Sequence, residues 1–135
     1  TFLTNCIARK LMDSYHSVIY FSAGDLFDVF SKNKFDYDQT EEMKDTYRYI
    51  LECDLLIIDD LGTEMTTQFT VSALYQVVNG RLLSGKPTIV STNLPDSELE
   101  ARYSAQIASR LLGAYTLYQF CGTDVRLLKK MESRM

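Results

Sequence analysis

Leu55-Leu56-Ile57-Ile58-Asp59-Asp60-Leu61-Gly62 is the stretch that decides the fold. Four aliphatic residues run straight into two carboxylates and then a glycine. Apolar residues on both sides of the backbone describe a strand buried on both faces, the usual state of a central strand in a parallel sheet. In open α/β sheets, ligands sit in the crevice beyond the carboxyl ends of such strands. Two acids placed there, with no basic neighbour in sequence, suit a hard cation such as magnesium held against phosphate oxygens. The plainer alternative is a core strand that ends in a polar turn.

Working outward, the pattern alternates helix and strand. Residues 2 to about 14 carry Leu3, Ile7 and Leu11 at helical spacing, and Ser17 to Ser22 is a short β-branched and aromatic run. Ala23 to about Ser31 sets Leu26, Phe27 and Phe30 on one helical side, followed by a polar, turn-like stretch from Lys32 to Asp38. Thr40, with Glu41 and Glu42 behind it, starts a helix that runs to about Glu52, because acids in a first turn complement the helix dipole.

Beyond the two acids, Val71, Leu74, Val78 and Leu82 form an amphipathic stripe ended by Gly85. Pro87 then opens a strand, Thr88-Ile89-Val90-Ser91. Ser104 to Leu112 reads as a helix stopped by Gly113, and Tyr115 to Phe120 alternates enough to predict a last strand. No internal repeat, low-complexity segment or linker interrupts this order, so the expectation is one α/β domain over residues 1–135, with a parallel sheet and helices on both faces.

Bulk properties narrow the function. The 135 residues are 46% hydrophobic and 24% charged, which suits one core. No apolar run approaches the ~20 residues that span a bilayer, and no basic-then-apolar leader opens the chain, so a cytoplasmic protein with no membrane partner is expected. Cys6, Cys53 and Cys121 are widely spaced and odd in number, which argues against a disulfide framework. His16 is the only histidine, so zinc chemistry and a Ser/His/Asp triad are poor fits. The net charge of −4 does not advertise a nucleic-acid surface, and any such contact has to be local.

Three further positions bear on chemistry. Asn93, closing the strand after the long helix, emerges at the same sheet edge as Asp59; a neutral amide there can hold a water or touch a phosphate, and Asn before Leu-Pro is equally ordinary turn chemistry. With Ile107, Ala108, Leu111 and Leu112 on the buried side of their helix, Arg110 falls off that face, where it is either solvated or offered to a neighbouring subunit's phosphate. Arg126 in the tail has the same two readings. Phe27, Phe30, Lys32 and Lys34 interleave aromatics with lysines, a pattern that suits single-stranded DNA but equally one in which the two phenylalanines are core.

Together these pieces resemble the AAA+ ATPases, a P-loop NTPase group, in the form used by DnaC/DnaI-type helicase loaders and the related IstB transposition helpers. Leu55 to Gly62 resembles their Walker B strand. Thr1-Phe2-Leu3 opens a helix as the family does, Ser91-Thr92-Asn93 is similar to a sensor-1 strand end, and Ser109-Arg110-Leu111 and Thr123-Asp124-Val125-Arg126 match in order. The resemblance implies ATP and Mg2+ as cofactors. Thr1 would be the hydroxyl ligand of the magnesium, Asp59 the metal-shell acid and Asp60 the acid that polarises the attacking water. Asn93 would be sensor 1, Arg110 the arginine finger and Arg126 the sensor-2 arginine. It also implies self-association through the ATP site, single-stranded DNA near residues 25–49, and a replicative helicase as partner. An IstB-like ATPase assisting a transposase is the runner-up, and a non-hydrolysing binding module is the reading from another class.

Two departures stand out. The second acid is Asp60 where most AAA+ proteins have Glu, and Glu64 lies near enough in sequence to compensate. The phosphate-cradling glycines and lysine do not precede Thr1, so the resemblance implies a chain truncated before its first strand and P-loop, inactive as an ATPase by itself. It further implies strands 17–22, 54–59 and 87–92 adjacent and parallel, with 115–120 detached from them by one missing strand, a gap of about two inter-strand spacings or ~10 Å.

Overall fold

The computed structural model describes residues 1–35 and 41–134. Three strands form a parallel sheet in the order β1 (Val18–Ser22), β2 (Leu55–Leu61), β3 (Thr88–Thr92). Around it lie α1 (Phe2–Asp13), α2 (Ala23–Phe35), α3 (Glu41–Glu52), α4 (Gln68–Leu83), α5 (Asp96–Tyr103), α6 (Ala105–Ala114) and α7 (Val125–Glu132). The central strand is the one that opened the sequence argument, and the order of the three strands is as expected.

Strand periodicity sorts the side chains of β2 onto two faces. Leu56 and Ile58 point into the main core, among Leu26, Phe27 and Phe30 of α2 and Leu74, Val77 and Val78 of α4. Leu55 and Ile57 point the other way, onto Ala8, Ile7 and Leu11 of α1. Leu56, Ile57 and Ile58 are fully buried, each contributing about 1.5–3 kcal/mol of burial free energy. The seam on α1 is therefore Thr4, Ile7, Ala8 and Leu11, while Leu3 is exposed.

Three expectations are corrected. Residues 115–120 form no strand; Tyr115 packs against the main core, but Leu117, Tyr118 and Phe120 are exposed, because an alternating segment becomes a strand only where a paired edge receives it. Helix α2 continues through Phe35 instead of ending near Ser31. Helix α6 runs one residue past Gly113, a glycine that tolerates helical geometry at modest cost. The Asp36–Asp38 part of the expected turn and the expected start at Thr40 lie outside the described residues.

A buried guanidinium ties the amino-terminal ends of the strands together. Arg81 of α4 has no exposed surface. Its Nε donates to Thr88 Oγ1 at 2.7 Å, Nη1 to the carbonyls of Ile50 and Leu51 at 2.9 and 3.1 Å, and Nη2 to those of Cys53 and Pro87 at 3.0 and 2.6 Å. The cation thus satisfies carbonyls left over at the C-terminus of α3, where the helix dipole is negative, and at the entries to β2 and β3.

Candidate functional site

At the other end of the sheet, β2 and β3 fall out of step. Ile58 pairs with Val90 and Leu61 with Thr92, so Asp59 and Asp60 together oppose the single residue Ser91. This is a β-bulge, a device that re-aims side chains at the ends of strands. Its consequence is specific. Strict alternation would send Asp60 into the main core beside Leu56 and Ile58. The extra residue instead swings Asp60 out to solvent with φ 55°, a left-handed conformation that aspartate tolerates, and returns Leu61 to the core at 1% exposure.

Asp59 keeps the parity of Leu55 and Ile57, and so faces α1. The residue is 5% exposed. Ser91 Oγ donates to Asp59 Oδ1 at 2.5 Å, and Thr1 Oγ1, at the head of α1, donates to Oδ2 at 3.0 Å. The Tyr20 hydroxyl, on the same face of β1, also bonds the carboxylate and lies 3.3 Å from Thr4 Oγ1. Burial pushes the Asp59 carboxyl up; hydrogen bonds from the hydroxyls of Ser91, Tyr20 and Thr1 work against it, and the acid is held below the usual aspartate range. An ionised carboxylate and hydroxyl oxygens on neighbouring elements form an oxygen donor set of the kind hard cations take.

The turn after β2 is fixed from the β3 side. Thr92 Oγ1 donates to the Leu61 carbonyl at 2.5 Å and accepts the Leu94 N–H at 3.1 Å. Gly62 has φ 107°, a conformation that favours glycine, and a Cβ there would sit 2.5 Å from Leu94 Cδ1, so the Leu94 side chain would also have to shift. Asn93, exposed between Thr92 and Leu94, is thereby held at the same sheet end as the two acids.

Glu64 is committed elsewhere. Its Oε2 accepts the Gly62 N–H at 2.9 Å and its Oε1 the hydroxyl of Tyr103, while Arg102 donates to the Glu64 carbonyl and, at 2.6 Å, to Thr66 Oγ1. Burial, with Glu64 beside it, pushes the Tyr103 phenol far up, so it remains a donor. Glu64 is a strut between the post-β2 loop and α5, and it is not free to stand in for Asp60.

Other expected residues sit away from this cluster. The expectation that Arg110 projects from its helix is corrected: its guanidinium lies 4.8 Å over the Tyr75 ring, Nη2 donates to Tyr75 Oη at 3.1 Å and Nε to Asn79 Oδ1 at 2.9 Å, all within one chain. A flat guanidinium finds on α4 an aromatic face and two acceptors, which an apolar-face argument does not register. Phe27 and Phe30 are 5% and 6% exposed in the main core, so they offer no base-stacking surface, and the DNA reading of those two residues is withdrawn. Lys32 is exposed, and the Lys34 side chain lies outside the described residues. Arg126 is exposed on α7, none of whose residues is buried. Sequence reasoning missed Ser91 and Tyr20; both follow once the strand register is known, since each shares Asp59's face.

Solved structures share this fold. The chain is similar to DnaI at TM-score 0.64 and 23% identity, covering 78% of this chain and 58% of that one. It is similar to the DnaC helicase loader at 0.64 and 19%, covering 75% and 59%. It is also similar to the replication initiator DnaA bound to AMPPCP and single-stranded DNA, at 0.66 and 20%, covering 78% and 32%. The chain has the AAA+ fold of these replication proteins. It spans between about a third and three fifths of their lengths. No protein-family model and no curated protein matches the sequence. Among the described residues, no helix is long and apolar enough to cross a membrane.

Proposed function

We propose that this chain is the core of an ATP-dependent replication protein of the helicase-loader kind, working within a longer protein that supplies the phosphate-binding loop. The observation that carries the reading is the split of two adjacent acids by the β2 bulge. One is buried, ionised and ringed by hydroxyls; the other is swung into solvent at the same sheet end as Asn93. Such a division suits two tasks on one nucleotide. Thr1 and Asp59 would hold Mg2+, whose chemistry is to neutralise phosphate charge and align the phosphates. Asp60 would accept a hydrogen bond from the attacking water and orient it, while the Asn93 amide would touch water or phosphate without adding charge. The nucleotide and single-stranded DNA bound by DnaA, and the helicase-loading role of DnaC, support ATP, single-stranded DNA and a replicative helicase as ligand and partners.

The test is ATP binding and steady-state hydrolysis by the longer protein. Asp60→Asn should keep binding and lose turnover, because a water-orienting acid acts mainly in the transition state. Asp59→Asn should weaken magnesium-dependent binding as well. Full turnover by Asp60→Asn would overturn the assignment.

A further inference from the structure

Within the Ser91-Thr92-Asn93 strand end the resemblance gives a role to Asn93 alone, yet the Ser91 hydroxyl is engaged twice. Oγ donates to Asp59 Oδ1 at 2.5 Å and accepts the Asp60 N–H at 3.1 Å. In a bulge the extra residue falls out of the regular ladder, and its backbone donor needs an acceptor from elsewhere. Here the serine hydroxyl supplies it. The same atom that receives the Asp60 amide spends its proton on the Asp59 carboxylate, so one side chain fixes the separation of the two acids.

The surroundings leave Ser91 this task alone. Asp60 has φ 55°, a left-handed conformation that aspartate tolerates at a modest cost, so a contact that fixes its amide decides how fully it stays there. Its side chain is exposed, so packing does not hold it. The Thr63 N–H and hydroxyl reach the Asp60 carbonyl at 3.3 and 2.9 Å, which fixes the outgoing side of the residue. The incoming side depends on the amide's bond to Ser91.

We propose that Ser91 is the positioning residue for Asp60: by bridging the bulge it aims the second acid relative to the buried first one. This deepens the ATPase reading and rests on it for its functional consequence, but its structural half stands apart. Removing the hydroxyl frees the Asp60 backbone to leave the left-handed region. The second acid then spends most of its time off the line of attack, while Asp59 keeps its bonds from Thr1 and Tyr20 and continues to serve the ground state.

Threonine and valine at position 91 make the decisive pair, since both are β-branched strand formers of equal shape and differ in the hydroxyl. In this 135-residue chain, without nucleotide, amide hydrogen exchange at Asp60 should quicken about fivefold or more in Ser91→Val and stay near wild type in Ser91→Thr. Amides of β1 should be unchanged in both. In the longer protein, Ser91→Val should lose roughly tenfold or more in kcat with KM changed only slightly, and Ser91→Thr should recover most of it. Equal exchange at Asp60 in the two variants, or equal kcat losses, overturns the proposal. The ATPase reading fails separately, through full turnover in Asp60→Asn, and that result leaves the exchange comparison as it is.

Discussion

The guanidinium of Arg110 rests 4.8 Å over the ring of Tyr75 in its own chain and is hydrogen-bonded to that residue's hydroxyl. An arginine finger acting across a subunit boundary would have to leave this seat. The contact is half-buried and polar, so it is worth about 0.5–2 kcal/mol. That cost is small enough for a transferred phosphate to displace it.

Arg110→Ala is therefore expected to lower unfolding stability by about 1 kcal/mol and leave the fold intact. Urea denaturation measures this. Tyr75→Phe removes the hydroxyl acceptor but keeps the ring, so it should cost less. If Arg110 also works in trans, mixing Arg110→Ala with Asp60→Asn subunits of the longer protein should restore some hydrolysis. Each then supplies the half-site the other lacks. Absence of rescue, with full activity in Arg110→Ala alone, would leave the residue a structural one.

Arg81 should be far less tolerant. Its donors serve four backbone carbonyls and the Thr88 hydroxyl, and the arginine itself is fully buried. Arg81→Met keeps the volume but strands those carbonyls, and a loss of about 3 kcal/mol or more follows. Arg81→Lys should recover only part, because a single ammonium cannot fork toward α3, β2 and β3 together. Thermal unfolding of the three proteins checks the order wild type, Lys, Met. A methionine variant as stable as wild type would show that those carbonyls find other partners.

How legible this was in sequence depends on what each residue answers to. Strands β1, β2 and β3 were readable because apolar runs with polar ends respond to local pattern. Residues 115–120 have the pattern too, but strand formation there needs an edge to pair with, which no local window contains. Arg81 left a trace: it falls three residues after Val78 and seven after Leu74, on the apolar stripe of α4, where a charge demands buried acceptors. Asp59 and Asp60 were found as a pair and the resemblance implied separate roles for them, yet the geometry that parts them, one buried and one exposed, was not legible. It comes from a bulge against Ser91, and register between strands is not written in either strand alone. Phe27 and Phe30 went the other way, since aromatics among lysines look alike whether they stack on bases or fill a core.

The strut from Glu64 to α5 gives a separate expectation. Tyr103→Phe leaves the Glu64 Oε1 without its buried donor, and the turn at Gly62 loses part of its anchor. Stability should fall by about 1–3 kcal/mol. Glu64→Gln should be milder, since its amide oxygen can still accept one of the two bonds. Double-mutant analysis by urea unfolding should give a coupling of at least ~0.5 kcal/mol between the two positions. Strict additivity would mean that the two groups do not act through one another.

A last prediction concerns acid. Asp54 Oδ2 accepts the Ser17 N–H at 2.9 Å, the Asp54 N–H donates to Ser17 Oγ at 2.8 Å, and His16 Nδ1 lies 3.5 Å from the same carboxylate oxygen. The Ser17 backbone N–H above all, then the Ser17 side chain and His16, hold the Asp54 carboxyl below the usual aspartate range. A depressed folded value means that the unfolded chain binds the proton more readily. The contribution is thus complete above the ordinary aspartate value of about 3.9 and is lost as pH falls through the lower folded value. Asp54→Asn keeps an acceptor for Ser17 but removes the charge. The urea midpoint of wild type should exceed that of Asp54→Asn at pH 7, and the gap should close as pH drops well below 4. The carboxylate is exposed, so the gap will be small; a gap that widens in acid would show the charge to be unfavourable where it stands.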